Sequence, residues 1–406
     1  MQRILILMSR TGGGHKASAE ALKLGFEQQF PGRFQIDTVD LLIDHLVPPL
    51  NQLPKTYGVV ANRMQWLWRM LWATGNYPSA TRRLMDELAW LSEKKVTRLF
   101  AHRAPDLIVS VHPLVHELTF RALRRLGRPI PVATVVTDLA STHPLWFHPQ
   151  VRACYVASDA AYFHALASGL WPDQVHKLGL PVRPSFATAA VASSTTLRSQ
   201  LQMHPTLPAA LLMGGGDGIG PVAEIAHQVA RRLSITGKPQ GQLTVITGRN
   251  HSLYEQLAAR PWPIPTQILG FVDNVAEWMM ASDCLITKAG PGTIAEAAIC
   301  GLPLLLSDFI PGQEEGNIPF VVENGVGLFL HEPAAIGAQV RRWFTTDRDQ
   351  LQQMRQQAKR LGRPQATVQI VTSLADLLTH PTPTTLYPQI RTLPPLRTRR
   401  KQPLRL

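Results

Sequence analysis

One short pattern occurs twice in the chain. RILILMSRTGGGHKASAEAL near the start and PAALLMGGGDGIGPVAEIAHQVARRL from Pro208 each run an apolar stretch into a glycine cluster and then into helix-spaced residues. An apolar strand that stops at glycines and resumes as a helix opens an α/β domain, the glycines supplying the tight turn. Two such openings in 406 residues predict two domains, since a chain of this length exceeds what one core serves. Further strands are predicted at Phe34–Val39, Asp106–Val111 and Pro131–Thr137, then at Gln242–Thr247, Thr266–Gly270, Cys284–Thr287 and Pro303–Ser307. Strands alternating with helical stretches give parallel sheets with right-handed crossovers. The expected fold is therefore α/β, with two Rossmann-like, doubly wound parallel-sheet domains facing each other across a cleft. The first spans 1–183 and the second 184–379, with the hinge at the start of the Pro-, Ser-, Thr- and Ala-rich stretch from Leu180 to Gln200. Residues 380–406 are Pro-rich and basic and are predicted to be disordered.

Composition narrows the partners. With 45% hydrophobic and 17% charged residues the chain reads as soluble and globular. No apolar run reaches the ~18 residues of a membrane span, and MQRILILMSR is too short in its apolar part for a signal peptide. Cys154, Cys284 and Cys300 form no C-x-x-C pair, which argues for a reduced compartment and against structural zinc or a disulfide framework. The net charge of +13 is uneven: residues 1–200 carry +9, residues 201–380 carry −2, and the last 26 carry +6. Such asymmetry suits an anionic surface, lipid or nucleic acid, although plain solubilising charge gives the same pattern. With no zinc-finger, RNA-recognition or KH signature, no nucleic-acid partner is expected.

Three motifs carry chemistry. After the strand at Cys284–Thr287 comes Lys288-Ala289-Gly290-Pro291-Gly292 and a helix opening at Thr293. Unpaired N–H groups and the positive end of the helix dipole gather there, and Gly290 and Gly292 let a phosphate approach closely. Thr293 adds a hydroxyl, and Glu296, one turn on, can accept from ribose hydroxyls. Gln313 and Glu314, in the loop after Pro303–Ser307, offer an amide and a carboxylate to a sugar; ligands bind beyond the strand carboxyl ends of an open parallel sheet, so the two loops are expected to share a site. An exposed polar turn is the plainer reading of the second loop. The third motif, Gly12-Gly13-Gly14-His15-Lys16, is not G-x-G-x-x-G, which disfavours a dehydrogenase. His15 stands at the mouth of the first strand, and an imidazole near pKa 6.5 suits a general base acting on a hydroxyl. Alone, it reads first as a helix-start residue that merely contacts solvent or backbone.

Taken together, GGGHKASAEA, PPLNQLPKTY, PDLIVSVHPL, TDLASTHPLWFH, GLPVRPSF, LLMGGGDGIGP, ITGRN and the segment 270–327 resemble the monogalactosyldiacylglycerol synthases over about residues 1–375. That glycosyltransferase family also holds bacterial diacylglycerol glucosyltransferases and, more distantly, the enzyme that converts lipid I to lipid II. The resemblance implies a GT-B fold and an inverting transfer of galactose from UDP-galactose to diacylglycerol. It carries donor binding onto Gly214, Gly215, Gly216, Asp217, Gly248, Arg249, Asn250, Gly290, Pro291, Gly292, Thr293, Glu296, Gln313 and Glu314. It makes His15 the base and sets Gly14, His143 and Trp146 on the acceptor side. At Arg10 the chain departs from the plant pattern, which has an acidic residue there. A UDP-glucose-dependent glucosyltransferase would use the same residues, and a binding-only scaffold would not need His15.

No D-x-D clamp is present, so no obligatory metal or other cofactor is expected. Residues 59–72, VVANRMQWLWRMLW, interleave Trp66, Trp68 and Trp72 with Arg63 and Arg69, a composition suited to lying among anionic headgroups. A Trp/Met stripe is more often core; the basic first half and a membrane-resident acceptor tip the expectation to the surface. The expected location is peripheral, on the cytoplasmic face of a membrane.

Overall fold

The computed structural model describes residues 1–379 except 11–12, 49, 53–63, 75–76, 190–192, 217 and 219. The expectations for Gly12, Arg63, Asp217 and the tail 380–406 lie outside the described residues, as does much of PPLNQLPKTY.

Two six-stranded parallel sheets form the frame. The first orders its strands β2-β1-β3-β4-β5-β6, with β1 at Gln2–Met8, β2 at Phe34–Asp40, β3 at Leu107–Ser110, β4 at Val132–Val135, β5 at Ala153–Val156 and β6 at Val175–Lys177. The second orders β11-β10-β7-β12-β13-β14, from β7 (Ala209–Met213), β10 (Gln242–Ile246), β11 (Thr266–Leu269), β12 (Cys284–Lys288), β13 (Leu304–Asp308) and β14 (Gly327–Phe329). A two-residue hairpin, β8 (Ser234–Ile235) with β9 (Lys238–Pro239), lies outside both. Strands such as Ala209–Met213 and Leu107–Ser110 are buried along their whole length, as expected of sheets covered by helices on both faces. β5, β6 and β14 escape the sequence analysis because ACYV, VHK and GLF are too short to carry a period of their own.

In each sheet the strand order reverses beside the opening strand, between β1 and β3 in the first and between β7 and β12 in the second. Loops leaving neighbouring strands in opposite directions open a crevice there. The two crevices face each other.

The chain crosses between domains twice. Leu180, Val182 and Phe186 already pack in the second core, so the crossing falls just before the helix Pro184–Ala189. The helix Ala366–Thr379, assigned above to the second domain, instead closes the first: Ile370, Val371, Leu374 and Ala375 are buried with Ile4, Ile6 and Phe26, and the Tyr155 hydroxyl donates to Ser373 Oγ at 2.8 Å. Thr367 Oγ1 accepts from the Val182 N–H at 2.9 Å and donates to its carbonyl at 2.6 Å, which ties the outgoing and returning strands of chain together.

Candidate active site

His15 sits in the first turn of the helix Gly13–Gln29, which starts where β1 ends. Gly13 and Gly14 precede it with open space where a Cβ would stand, so the helix end is uncovered. The His15 side chain turns inward. It is 8% exposed, its Nδ1 lies 2.9 Å from Thr137 Oγ1, and its ring is 4.5 Å from that of His112 at the end of β3 and 5.9 Å from Trp146. Burial pushes its pKa down to about 4, against a smaller upward pull from a hydrogen bond to the Val111 backbone. The ring is thus neutral at pH 7 and keeps a lone pair. Burial likewise holds His112 well below the usual imidazole range, helped by His15 and His116 beside it, and its Nδ1 accepts from the Leu114 N–H at 3.2 Å. Sequence reasoning passed over His112, whose only signal was its place after a predicted strand.

The Arg10 backbone N–H and Nε donate to Asp40 Oδ2 at 2.8 and 3.1 Å, which gives this side chain a structural ion pair.

At the opposing wall the helix Pro291–Cys300 opens two residues earlier than expected, with Gly290 as N-cap and Pro291 at its first position, where a missing N–H costs nothing. The Gly292 and Thr293 N–H groups therefore stand in the first turn, and space beyond Gly292 is open. A Cβ on Gly290 would come 3.6 Å from Lys288 Nζ, 3.8 Å from Glu314 Oε1 and 3.9 Å from Thr293 Oγ1. Those three groups therefore converge on the helix end. Lys288 pairs with Glu314 Oε1, and the other oxygen of Glu314 accepts the Ile310 N–H at 2.9 Å. Lys288 was not singled out from sequence, although it closes the strand before the glycine turn; it is the fixed cation of this wall.

The remaining donor-side residues divide. Gly215 and Gly248 hold φ of +75° and +62°, and a Cβ on Gly248 would strike the Gly216 carbonyl at 2.4 Å, so these glycines let the loops after β7 and β10 touch. Gly214 and Gly216 belong to the same loop, and Arg249 lies over the Phe271 ring at 5.2 Å. Asn250 is a helix cap: its Oδ1 accepts from the Leu253 N–H at 3.0 Å and its amide donates to the Gly218 carbonyl. Glu296 is largely enclosed, and burial raises its pKa to about 7, offset in part by the charge of Arg183.

Between the walls the segment 137–141 meets 311–317. The Ala140 N–H donates to Asn317 Oδ1 at 3.0 Å, while Asn317 Nδ2 donates to the Ala289 carbonyl at 2.9 Å. The Gly316 N–H donates to Ser141 Oγ at 2.7 Å. Asp138, 4% exposed, accepts from Trp146 Nε1 at 2.6 Å and is hydrogen-bonded to the Gln313 side chain and the His143 backbone. None of Asp138, Ser141 or Asn317 announced itself in sequence, because their partners lie far along the chain in the other domain.

Several residues expected on the acceptor or membrane side are buried rather than exposed. Trp146 is fully buried, a core ring that holds Asp138. His143 is buried, its Nδ1 accepting from Leu145, with its pKa pushed down to about 4 by burial and by His164. On the helix Gln65–Ala73, Trp68 donates to the Pro311 carbonyl at 3.0 Å and Trp72 packs against His143 and over Gly312. These two tryptophans join the domains and do not face outward. Trp66, Arg69 and Met70 do, being exposed on the other side of the same helix. The helix Pro78–Arg103 adds exposed Leu84, Trp90 and Leu91 with Arg83, Lys94, Lys95 and Arg98. Among the described residues no helix is long and apolar enough to cross a membrane, and no group of three His, Cys, Asp or Glu is placed to hold a metal.

Two parallel-sheet domains with facing crevices, an imidazole in one and a phosphate-sized helix end in the other, define a GT-B glycosyltransferase; residues 209–368 match the glycosyltransferase family 28 C-terminal domain. Residues 15–182 match the model described as monogalactosyldiacylglycerol (MGDG) synthase, and the chain belongs to that family. The chloroplastic MGDG synthase of Spinacia oleracea is 44% identical over 386 residues, spanning 93% of this chain and 73% of that protein. MGDG synthase 1 of Arabidopsis thaliana, also chloroplastic, is 42% identical over 386 residues, with 93% and 71% covered. Among solved structures, MurG of Acinetobacter baumannii shares the fold at a TM-score of 0.59 with 14% identity, over 93% of this chain and all of that one.

Proposed function

We propose that the chain transfers galactose from UDP-galactose to the free hydroxyl of 1,2-diacylglycerol, with inversion, to give β-monogalactosyldiacylglycerol. The observation that carries this reading is that His15 and the helix end at Gly290–Thr293 each follow a strand at the order reversal of their own sheet, in a chain of the MGDG synthase family. The diphosphate lies against the Gly292 and Thr293 N–H groups and Lys288, which together stabilise the charge that develops on departing UDP. Glu296 accepts from ribose hydroxyls, and Gln313 and Glu314 read the sugar. Neutral His15 takes the proton as the acceptor oxygen attacks the anomeric carbon from the face opposite UDP, which inverts that centre. The meeting of segments 137–141 and 311–317 excludes water that would otherwise hydrolyse the donor. Lys288 and the helix end supply the positive charge that a departing diphosphate needs, and we propose that no divalent ion is obligatory here.

The acceptor resides in a membrane. Exposed Trp66, Met70, Trp90 and Leu91 beside Arg69, Lys94, Lys95 and Arg98 fit a peripheral protein that rests on anionic headgroups. The relatives named above are chloroplastic, so the cytoplasmic face expected from sequence has no support from them, and association with a membrane surface is the reading retained.

The test is direct. Purified protein is incubated with diacylglycerol and either UDP-galactose or UDP-glucose, and the lipid product is identified by mass and sugar composition. Galactolipid is expected; glucolipid alone would overturn the donor assignment. His15→Ala should lower turnover at least ~100-fold while UDP binding stays nearly intact, and retained turnover would remove His15 as the base.

A further inference from the structure

Asp138 follows Thr137, the partner of His15, and its carboxylate reaches across the domain seam to Gln313, so it touches both halves of the site. We propose that Asp138 is a positioning residue for donor recognition: as a carboxylate it takes an N–H of the Gln313 amide and thereby fixes the amide oxygen toward the sugar. This rests on the reading of Gln313 as a sugar ligand. A carboxylate accepts only, whereas an amide presents a donor on one side and an acceptor on the other. Whichever end Asp138 occupies, the sugar meets the opposite one.

Trp146 Nε1, at 2.6 Å, and the His143 backbone fix the carboxylate, so the seam defines the orientation and Gln313 adapts to it. Around Asp138 the titratable and charged groups are His15 from the helix Gly13–Gln29, His112 after β3, His143 on its own loop, Glu314 from the facing loop and Lys288 from β12, which pairs with Glu314. The histidines in this set are held neutral, and Lys288 offsets Glu314. Burial, with a further contribution from Glu314, raises Asp138 to about 7. Below that pH the acid gains an O–H, which donates to the Gln313 amide oxygen, turns the amide end for end and offers N–H groups to the sugar. A misdirected neutral hydrogen bond is worth about 0.5–1.5 kcal/mol, or roughly 3- to 10-fold in affinity.

Calorimetric Kd values for UDP and for UDP-galactose are measured at pH 8 and pH 6. The nucleotide alone is the internal reference, because Glu296 also titrates near 7 and acts through the ribose common to both ligands. In the parent protein, UDP-galactose should weaken roughly 3- to 10-fold more than UDP on acidification. In Asp138→Asn that excess should vanish while UDP binding is kept. A parent protein whose UDP-galactose and UDP affinities change in parallel overturns the proposal without any variant, and so does an Asp138→Asn protein that keeps the excess. Gln313→Ala should weaken UDP-galactose at both pH values; if it does not, the sugar-site reading of Gln313 falls as well, which separates the two failures.

Discussion

Replacing Glu296 by Gln should move stability and donor binding in opposite directions. Enclosure raises this carboxyl from 4.5 to about 7, with Arg183 as the compensating charge. Ionised Glu296 is therefore disfavoured in the folded chain by about 3 kcal/mol, and its partial exposure lowers that to about 2 kcal/mol. Because the folded state holds the proton more tightly than the unfolded state, stability falls as pH rises from about 4.5 to about 7, and the deficit is complete above that. A neutral amide escapes it. Unliganded Glu296→Gln should melt roughly 3–5 °C higher than the parent at pH 8 and no higher at pH 4. UDP should bind the variant about 10-fold more weakly at pH 8, since a charge-assisted ribose contact is exchanged for a neutral one worth ~1.5 kcal/mol less. The gap should narrow at pH 6, where the parent carboxyl is itself mostly protonated. Thermal melts at pH 4 and 8 with calorimetry at pH 6 and 8 supply the four comparisons. A variant that melts lower at pH 8 would refute the cause given for the raised pKa, and one that binds UDP as the parent does would refute the ribose role.

Lys288→Met should raise the UDP Kd roughly 10- to 100-fold, since it removes a cation set beside the helix end and leaves buried Glu314 without its ion-pair partner; an unchanged Kd would move the diphosphate elsewhere. Turnover should be unaffected by EDTA, and a loss restored by one particular divalent ion would overturn the metal-free reading. Binding to liposomes should require anionic lipid and fall with salt, and Trp66→Ser combined with Trp90→Ser should weaken it severalfold, while Trp68→Phe should instead loosen the domain seam and lower the melting temperature. Equal binding to neutral vesicles would remove the surface assignment.

What the sequence revealed and what it hid follow from the range of the interactions involved. A strand that ends in glycines is a local pattern, so both sheet openings, the glycine turn at Gly290–Thr293 and the position of His15 were legible from neighbouring residues alone. The tryptophan segment was legible as surface-suited, and Trp66 and Arg69 are exposed, yet the sequence did not show that Trp68 and Trp72 turn inward, because they are held by Pro311, Gly312 and His143, none of which is near them in the chain. Asp138, Ser141 and Asn317 look like ordinary loop polar residues; their meaning comes from a partner some 175 positions away, as in the bond from Gly316 to Ser141. The same holds for the last helix, whose apolar face fits either domain by composition and is assigned to the first only by the return crossing at Thr367. In a two-domain transferase this division has a cause. Each wall opens on residues that are neighbours in the chain, whereas the residues that join the walls find their partners only across the seam. The seam residues are therefore the least visible in the sequence, and they lie nearest to where the two substrates are brought together.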